Sequence, residues 1–231
     1  MKILISGASK GLGKAMAERL CQEGHELFLI ARSQDKLQML KQNWEKQYGQ
    51  SVNIIAFDLS QTEKIKNLPK LYPFLEQTEV LINNLGHYVE NKPTELTIEQ
   101  LQQQFNLNLY SAIALSDLFL DNFKSQKKGS IININSVMGL NGASHASAYA
   151  ISKHGLKAWN DSLREEMRPF GVKVCSLYPG AINTPSWDGQ AVDRTAMIQT
   201  EDIAEIVNSL LKLGTSTLVE EVRLSPLHFS P

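Results

Sequence analysis

Residues 2–13 read KILISGASKGLG, a short apolar run that passes directly into a turn rich in glycine. The run up to Ser6 has the length and the branched apolar residues of a buried strand, and helical periodicity follows the turn. Gly7, Gly11 and Gly13 lie between the two, where glycine permits a tight bend and a close approach of the backbone to a ligand. The segment therefore predicts a strand, a tight turn and a helix as the first unit of the fold.

Strand and helix patterns alternate from this unit to the end of the chain. The patterns predict strands at 2–6, 26–30, 52–57, 80–83, 130–135, 172–177 and 218–224. They predict helices at 11–23, 34–47, 97–123, 147–168 and 201–213, with a weaker helical segment at 61–70. The strands are nearly continuous apolar runs, as in a parallel sheet covered on both faces. We therefore expect residues 1–231 to form a single α/β domain, a doubly wound Rossmann-type sheet of about seven strands with helices on both faces.

The composition excludes several classes of protein. Lysine and arginine total 23 against 24 acidic residues, so the near-neutral charge gives no electrostatic case for a nucleic acid or a membrane surface as partner. Two cysteines, Cys21 and Cys175, lie far apart, and no histidines or carboxylates cluster at metal-binding spacing. No apolar stretch reaches the roughly 20 residues of a membrane span, and no secretory leader is visible. We expect a cytoplasmic protein without a metal site.

The glycine turn has the chemistry of a phosphate site. In an open α/β sheet, ligands bind outside the carboxyl ends of the strands, where this turn is predicted to lie. The start of the following helix supplies free N–H groups and the positive end of the helix dipole. The spacing is G-x-x-x-G-x-G rather than the commonest dinucleotide pattern. A plain strand–helix turn without a ligand is the alternative.

The end of the second predicted strand bears on the choice of nucleotide. A carboxylate at this point would bind the ribose 2′-hydroxyl of NAD, whereas an arginine accommodates the 2′-phosphate of NADP. The strand ends in Ala31 and Arg32, and Lys10 adds a second cation within the glycine turn. This placement favours NADP(H), and the alternative is two solvated basic side chains.

Tyr149 and Lys153 stand four residues apart within a predicted helix, so they share one face of it. A free tyrosine has a pKa of about 10 and is a poor base at neutral pH. A neighbouring ammonium group favours the phenolate, and we expect Lys153 to lower the pKa of Tyr149. Ordinary amphipathic positions for both residues are the alternative.

Ordered motifs along nearly the whole chain resemble the short-chain dehydrogenase/reductase family. Ser6 stands where the family has threonine before the glycine turn, and Leu85 replaces the alanine of its N-N-A-G motif. The places that carry the resemblance are the turn at 6–13, Asp58-Leu59, Asn83-Asn84-Leu85-Gly86, Asn108, Ser136, Tyr149-x-x-x-Lys153 and the P-G-x-x-x-T segment from Pro179 to Thr184.

The resemblance implies roles for these residues. Tyr149 would give a proton to a carbonyl oxygen or take one from an alcohol, and Ser136 would hydrogen-bond the same oxygen. Lys153 would hold the nicotinamide ribose, and Asn108 a water that relays protons to it. Ser136 as a turn cap, and Asn106 in place of Asn108, are the alternatives. The residues expected to contact the cofactor are Gly7, Ser9, Lys10, Gly11, Leu12, Gly13, Arg32, Asp58, Leu59, Asn84, Gly86, Tyr149, Lys153, Pro179, Gly180, Ile182 and Thr184.

The sequence thus predicts an NADP(H)-dependent oxidoreductase that interconverts a small-molecule carbonyl and an alcohol, foremost as a ketone or aldehyde reductase. The alternatives are a regulator that keeps the nucleotide site without catalysis and a partner-binding protein that needs no cofactor. His87, His145 and Trp187 are candidate substrate contacts or plain loop residues. The family resemblance also implies a homodimer or homotetramer packed through the helices at 97–123 and 147–168.

Overall fold

Parallel strands form the centre of the fold in the computed structural model, which describes residues 1–228. Within these residues the strands are β1 (Lys2–Ser6), β2 (Glu26–Ala31), β3 (Val52–Ala56), β4 (Val80–Asn83), β5 (Gly129–Ile134), β6 (Val172–Pro179) and β7 (Glu221–Leu224). Their order across the sheet is β3-β2-β1-β4-β5-β6-β7, and every neighbouring pair is parallel. The direction of winding reverses between β1 and β4, so the predicted doubly wound sheet is confirmed and its ligand crevice opens at that point. The predicted single domain extends to Phe229–Pro231, which lie outside the described residues.

Helices cover both faces of this sheet. They are α1 (Gly11–Gln22), α2 (Gln34–Tyr48), α3 (Thr62–Ile65), α4 (Leu68–Leu71), α5 (Ile98–Phe105), α6 (Ser111–Gln126), α7 (Ser147–Met167) and α8 (Thr200–Leu211). In β1, Ile3 and Ile5 pack in the core beneath α1, α2 and α8, while Leu4 packs in the core beneath α6 and α7. Because successive side chains of a strand point to opposite faces, a strand with a core on each side must be apolar throughout.

The predicted helix at 97–123 is interrupted. Thr97 and Gln100 form a reciprocal cap at the start of α5, with bonds of 3.1 and 3.2 Å between each side chain and the other's backbone N–H. A π-helical turn at Asn106–Tyr110 then separates α5 from α6, which runs to Gln126. The prediction of one continuous helix is wrong here. The apolar periodicity continues on both sides of the π-helical turn, so it does not reveal the interruption. Such turns often occur at functional sites.

Other boundaries differ by a few residues for local reasons. The weak segment at 61–70 forms the short helices α3 and α4, and β6 continues to Pro179, which pairs with Leu224 at the end of the strand. A proline can occupy the end of the strand because no hydrogen bond within the sheet depends on the N–H that it lacks. The last strand begins at Glu221 rather than 218, since Val219 packs on the core without pairing in the sheet.

Gly13 generates a prediction about stability. A methyl group on Gly13 would overlap the carbonyl oxygen of Gly7 and lie 2.6 Å from Nδ2 of Asn84. We expect Gly13→Ala to lower the free energy of unfolding by about 2 kcal/mol, which corresponds to a fall of several degrees in Tm. Gly214→Ala is the matched control, because a methyl group there meets no atom of the described residues within 4 Å. Equal melting temperatures for the two variants would contradict this packing.

Candidate active site

The glycine turn lies at the carboxyl end of β1 in a conformation that requires glycine. Gly7 and Gly11 have φ angles of +66° and +54°, in the left-handed region. The N–H of Gly7 donates to the carbonyl of Ile30 at 2.9 Å, which joins the turn to the end of β2. No side chain of the described residues caps the start of α1 at Lys10. The first N–H groups of α1, from Gly11 to Gly13, are therefore free to bind an anion.

Side-chain bonds join this turn to the end of β4. The hydroxyl oxygen of Ser6 accepts the N–H groups of Asn84 at 2.9 Å and Leu85 at 3.0 Å. In return, Nδ2 of Asn84 donates to the carbonyl of Ser6 at 3.0 Å. Serine thus makes the cross-link with the hydroxyl that the family's threonine also carries. The side chain of Leu85 is partly buried and packs against the core beneath α6 and α7.

Basic side chains are exposed beside the crevice. Across the described residues, neither Lys10 nor Arg32 forms a side-chain hydrogen bond or ion pair. Burial acts to raise the pKa of Asp58, but hydrogen bonds from Ser60 and the charge of Arg32 outweigh it and lower the pKa. Arg32 and Asp58 therefore lie at the same end of the sheet. The side chain of Leu59 is buried in the core, so only its backbone faces outward.

Tyr149, Lys153 and Ser136 come together where β5 ends and α7 begins. Lys153 is 2% exposed, and its Nζ donates to the carbonyl of Ile134 at 2.9 Å. The same Nζ lies 5.7 Å from the centre of the Tyr149 ring. The Ser136 hydroxyl accepts the N–H of Met138 at 3.1 Å and is close enough to Tyr149 to act on its pKa. Ser136 is thus a turn cap and a neighbour of the tyrosine at once.

Burial controls the ionisation of this group. It raises the pKa of Tyr149 to about 12, although the nearby Ser136 hydroxyl acts in the opposite direction. It also lowers the pKa of Lys153 to about 8. The expectation that Lys153 lowers the pKa of Tyr149 is wrong for this structure, because the ammonium group donates to Ile134 and burial dominates. The Tyr149 hydroxyl therefore keeps its proton at neutral pH.

Asn108 lies in the π-helical turn and is buried against the same site. Its Oδ1 accepts the N–H of His87 at 2.7 Å, and its Nδ2 is 2.9 Å from Gln104 and 3.0 Å from Ser152. A methyl group on Gly86 would lie 3.5 Å from Nζ of Lys153 and 3.7 Å from Oδ1 of Asn108. Asn108 therefore faces Lys153 across Gly86. Asn106, the alternative, is only partly buried and is the first residue of the π-helical turn.

The segment after β6 returns over the glycine turn. Pro179 ends β6, and the N–H of Gly180 donates to Leu224 at 2.8 Å. Ile182 pairs with Ile198, which brings the two ends of the following loop together. A methyl group on Gly11 would lie 3.5 Å from both Thr184 and Pro185. The P-G-A-I-N-T segment thus reaches the glycine turn.

Tyr88, Asn91 and Arg194 belong to this site but were not predicted from the sequence. The Tyr88 ring stands 5.4 Å from the Tyr149 ring at 70°. Oδ1 of Asn91 accepts the hydroxyl of Ser147 and the N–H of Ala148, so Asn91 caps α7 just before Tyr149. Only the position of Tyr88, two residues after the N-N-L-G motif, offered a sequence signal. Asn91 and Arg194 act through loop geometry, which composition and spacing do not show.

The candidate substrate contacts lie in loops. His87 and His145 are exposed, and Trp187 is partly buried in a short 3-10 turn at Pro185–Trp187.

Within residues 1–228, no helix has the length and apolar content to cross a membrane. The same described residues hold no cluster of His, Cys, Asp and Glu suited to a metal ion.

This arrangement is matched by known proteins. The family model described as short chain dehydrogenase matches residues 1–194. The chain belongs to the short chain dehydrogenase family. A ketoacyl reductase of Nostoc is 32% identical over 225 residues, covering 94% of this chain and 77% of the relative.

Solved structures of the family share the whole fold. An alcohol dehydrogenase of Thermococcus sibiricus, complexed with 5-hydroxy-NADP, is 27% identical with a TM-score of 0.90, covering 100% of this chain and 98% of that one. A short-chain dehydrogenase of Sphingobium yanoikuyae, in complex with NADPH, is 25% identical with a TM-score of 0.84, covering 99% of this chain and 89% of that one. The chain is an oxidoreductase of this family.

The burial of Lys153 leads to a prediction on pH. Its pKa is about 8 in the folded chain and returns to the ordinary 10.5 on unfolding. Between about pH 8 and pH 10 the unfolded state therefore binds more protons, so this residue makes the free energy of unfolding rise with pH. We expect Lys153→Met to be the more stable protein near neutral pH and its advantage to shrink across that window.

Thermal unfolding by circular dichroism at a series of pH values measures this difference. Lys46→Met, an exposed position on α2, is the control and should follow the unaltered protein throughout. An advantage of Lys153→Met that stays constant across the window would show that burial does not depress the pKa of Lys153.

Proposed function

We propose that this chain is an NADP(H)-dependent oxidoreductase that reduces a ketone or aldehyde to an alcohol. The carrying observation is the grouping of Tyr149 with Ser136 and with the ammonium of Lys153, which lies 5.7 Å from the centre of the Tyr149 ring. This group lies at the same end of the sheet as the glycine turn. The relatives agree in kind, since one is named a ketoacyl reductase and another an alcohol dehydrogenase. Two of the solved structures carry 5-hydroxy-NADP and NADPH.

The residues present fit a dinucleotide phosphate. Gly7, Gly11 and Gly13, with Ser9 and Leu12 between them, leave space for a pyrophosphate at the uncapped start of α1. Neither Arg32 nor Lys10 forms a hydrogen bond or an ion pair among the described residues, and only the nearby charge of Asp58 would compete with a 2′-phosphate for Arg32.

The remaining predicted contacts extend across the crevice in the order that the cofactor requires. Asp58 and the backbone of Leu59 would meet the adenine at the end of β3. Asn84 and Gly86 line the middle of the crevice, where the pyrophosphate passes to the second ribose. The segment that would cover the nicotinamide comprises Pro179, Gly180, Ile182 and Thr184.

The chain's own groups would supply the proton and hold the substrate. The bound nicotinamide supplies the hydride. Tyr149 would donate its hydroxyl proton to the carbonyl oxygen, and Ser136 would hydrogen-bond that oxygen and orient it. Lys153 uses one N–H on Ile134 and keeps others for the ribose hydroxyls. Asn108 would hold a water that returns a proton through Lys153, whose pKa of about 8 suits that exchange.

We also propose a homodimer or homotetramer that packs through α5, α6 and α7. The outer sides of these elements carry exposed apolar side chains, namely Ile98, Tyr110 and Ile151. Exposed apolar residues on neighbouring helices favour burial against a second copy.

The free, buried cysteines Cys21 and Cys175 agree with the reducing cytoplasm.

Tyr149→Phe tests the chemical step. Removing the hydroxyl should reduce turnover of any accepted carbonyl by at least about a hundredfold, because Tyr149 would supply the proton and Ser136 would only orient the oxygen. Affinity for NADPH should change little, since the ring remains. The measurement is NADPH consumption against a panel of aldehydes and ketones, with Tyr48→Phe on α2 as control. Turnover that survives in Tyr149→Phe would remove this residue from the donor role, and a lack of turnover in every protein despite NADPH binding would favour the regulator.

Arg32→Asp tests the choice of nucleotide. The new carboxylate would repel a 2′-phosphate, so we expect the Kd for NADPH to rise by about a hundredfold or more and that for NADH to change by only a few-fold. Titrations of both nucleotides by calorimetry measure this. Lys46→Asp, with the cation at the far end of α2, should leave both Kd values unchanged. Equal weakening of NADPH and NADH by Arg32→Asp would refute the assignment.

A further inference from the structure

The loop between β6 and α8, residues 183–199, is joined at its base by main-chain bonds. The N–H of Asn183 donates to Ile198 at 2.8 Å, and the N–H of Ile198 donates to Ala181 at 3.0 Å. The two ends of the 183–199 loop therefore leave and re-enter the fold side by side. Compact surface loops of this length with adjoining ends are packed by their own side chains.

Arg194 lies at the centre of the 183–199 loop and binds its opposite arm. Its Nε donates to Oδ1 of Asn183 at 2.7 Å, and its Nη2 donates to the carbonyl of Thr184 at 3.0 Å. Its Nη1 donates to Asp188 at 2.8 Å. The planar guanidinium reaches these acceptors in different directions at once, which the single ammonium of a lysine does not do.

Gln199 completes the connection between the arms. Its Oε1 accepts Nδ2 of Asn183 at 2.8 Å, and its Nε2 donates to the carbonyl of Met197 at 2.8 Å and that of Arg194 at 3.2 Å. Asn183 therefore binds Arg194 with its oxygen and Gln199 with its nitrogen. The ion pair with Asp188 is exposed and contributes little by itself, so the partly buried bonds to Asn183 and Thr184 carry the connection.

We propose that Arg194 is a positioning residue that holds the 183–199 loop preformed over the glycine turn and thereby slows release of the nucleotide. The inference rests on the proposed function, since it needs a dinucleotide in the crevice. Thr184 connects Arg194 to the glycine turn, because its carbonyl accepts a bond from Arg194 and its side chain faces Gly11. A nucleotide bound at Gly11 must pass the loop to leave, so loss of the Arg194 bonds frees its path.

The test separates geometry from charge. Arg194→Ala should speed NADPH dissociation in stopped-flow by about tenfold, the loss expected for charge-assisted hydrogen bonds. Arg194→Lys keeps the charge and should release NADPH nearly as fast as Arg194→Ala. Asn183→Ala keeps Arg194 and changes no charge, yet should also speed release, and the double variant should be no faster than Arg194→Ala alone. Arg168→Ala, an exposed arginine on the far side of the fold, is the matched control.

A second measurement does not depend on the nucleotide. Amide hydrogen exchange of 183–199 in the free protein should be slow in the unaltered chain and at least about tenfold faster in Arg194→Ala, with the strands unchanged. Full rescue by Arg194→Lys, or no change in Asn183→Ala, would overturn the proposal in favour of a direct charge effect on the nucleotide. If the unaltered protein binds neither nucleotide, the proposed function fails, and unchanged exchange in Arg194→Ala would then overturn this inference separately.

Discussion

The close approach of backbone segments at the carboxyl ends of β1 and β4 is the constraint on which the structure depends. Gly13 has no side chain, so α1 starts directly against the carbonyl of Gly7, and Asn84 enters the same space to bind the carbonyl of Ser6. The Ser6 hydroxyl accepts two N–H groups from the end of β4. These hydrogen bonds satisfy backbone groups at the ends of β1 and β4 that would otherwise need water as a partner. The glycine turn and the end of β4 thereby keep a fixed spacing.

The chemistry of the site costs stability that the surrounding core must supply. Lys153 is an ammonium group with 2% exposure and a single main-chain acceptor at Ile134. Taking such a group out of water is unfavourable, and its pKa falls to about 8 as a result. The same burial keeps Tyr149 protonated. A site that holds its donor ready in this way is less stable than an apolar one of equal volume, a common relation between activity and stability.

Much of the fold could be predicted from the sequence because its signals are local. The apolar runs at Ile3–Ile5 and the glycines that follow them give strand, turn and helix without knowledge of the rest. The shared helix face of Tyr149 and Lys153 followed from their spacing, whereas the family resemblance added Ser136 to them. The cofactor preference stays a prediction on the same basis.

What the sequence did not show depends on tertiary contacts. The pKa of Tyr149 is set by how deeply the finished fold buries it, so a spacing argument had the wrong sign. Arg194 acts by reaching Asn183 eleven residues away across a loop whose shape no periodicity encodes. Asn91 caps α7 from a segment more than fifty residues upstream. Such roles become visible only when distant parts of the chain are brought together.

The π-helical turn at Asn106–Tyr110 makes the site sensitive to chain length rather than to residue type. A regular α-helix advances about 100° per residue, so removing one residue from the turn would rotate α5 by that angle relative to α6. Asn108 would then no longer contact both His87 and Ser152, although the side chains of all three residues were still present. A one-residue deletion in this turn would therefore disturb the site through the orientation of α5, without any change in the chemistry of the side chains that remain.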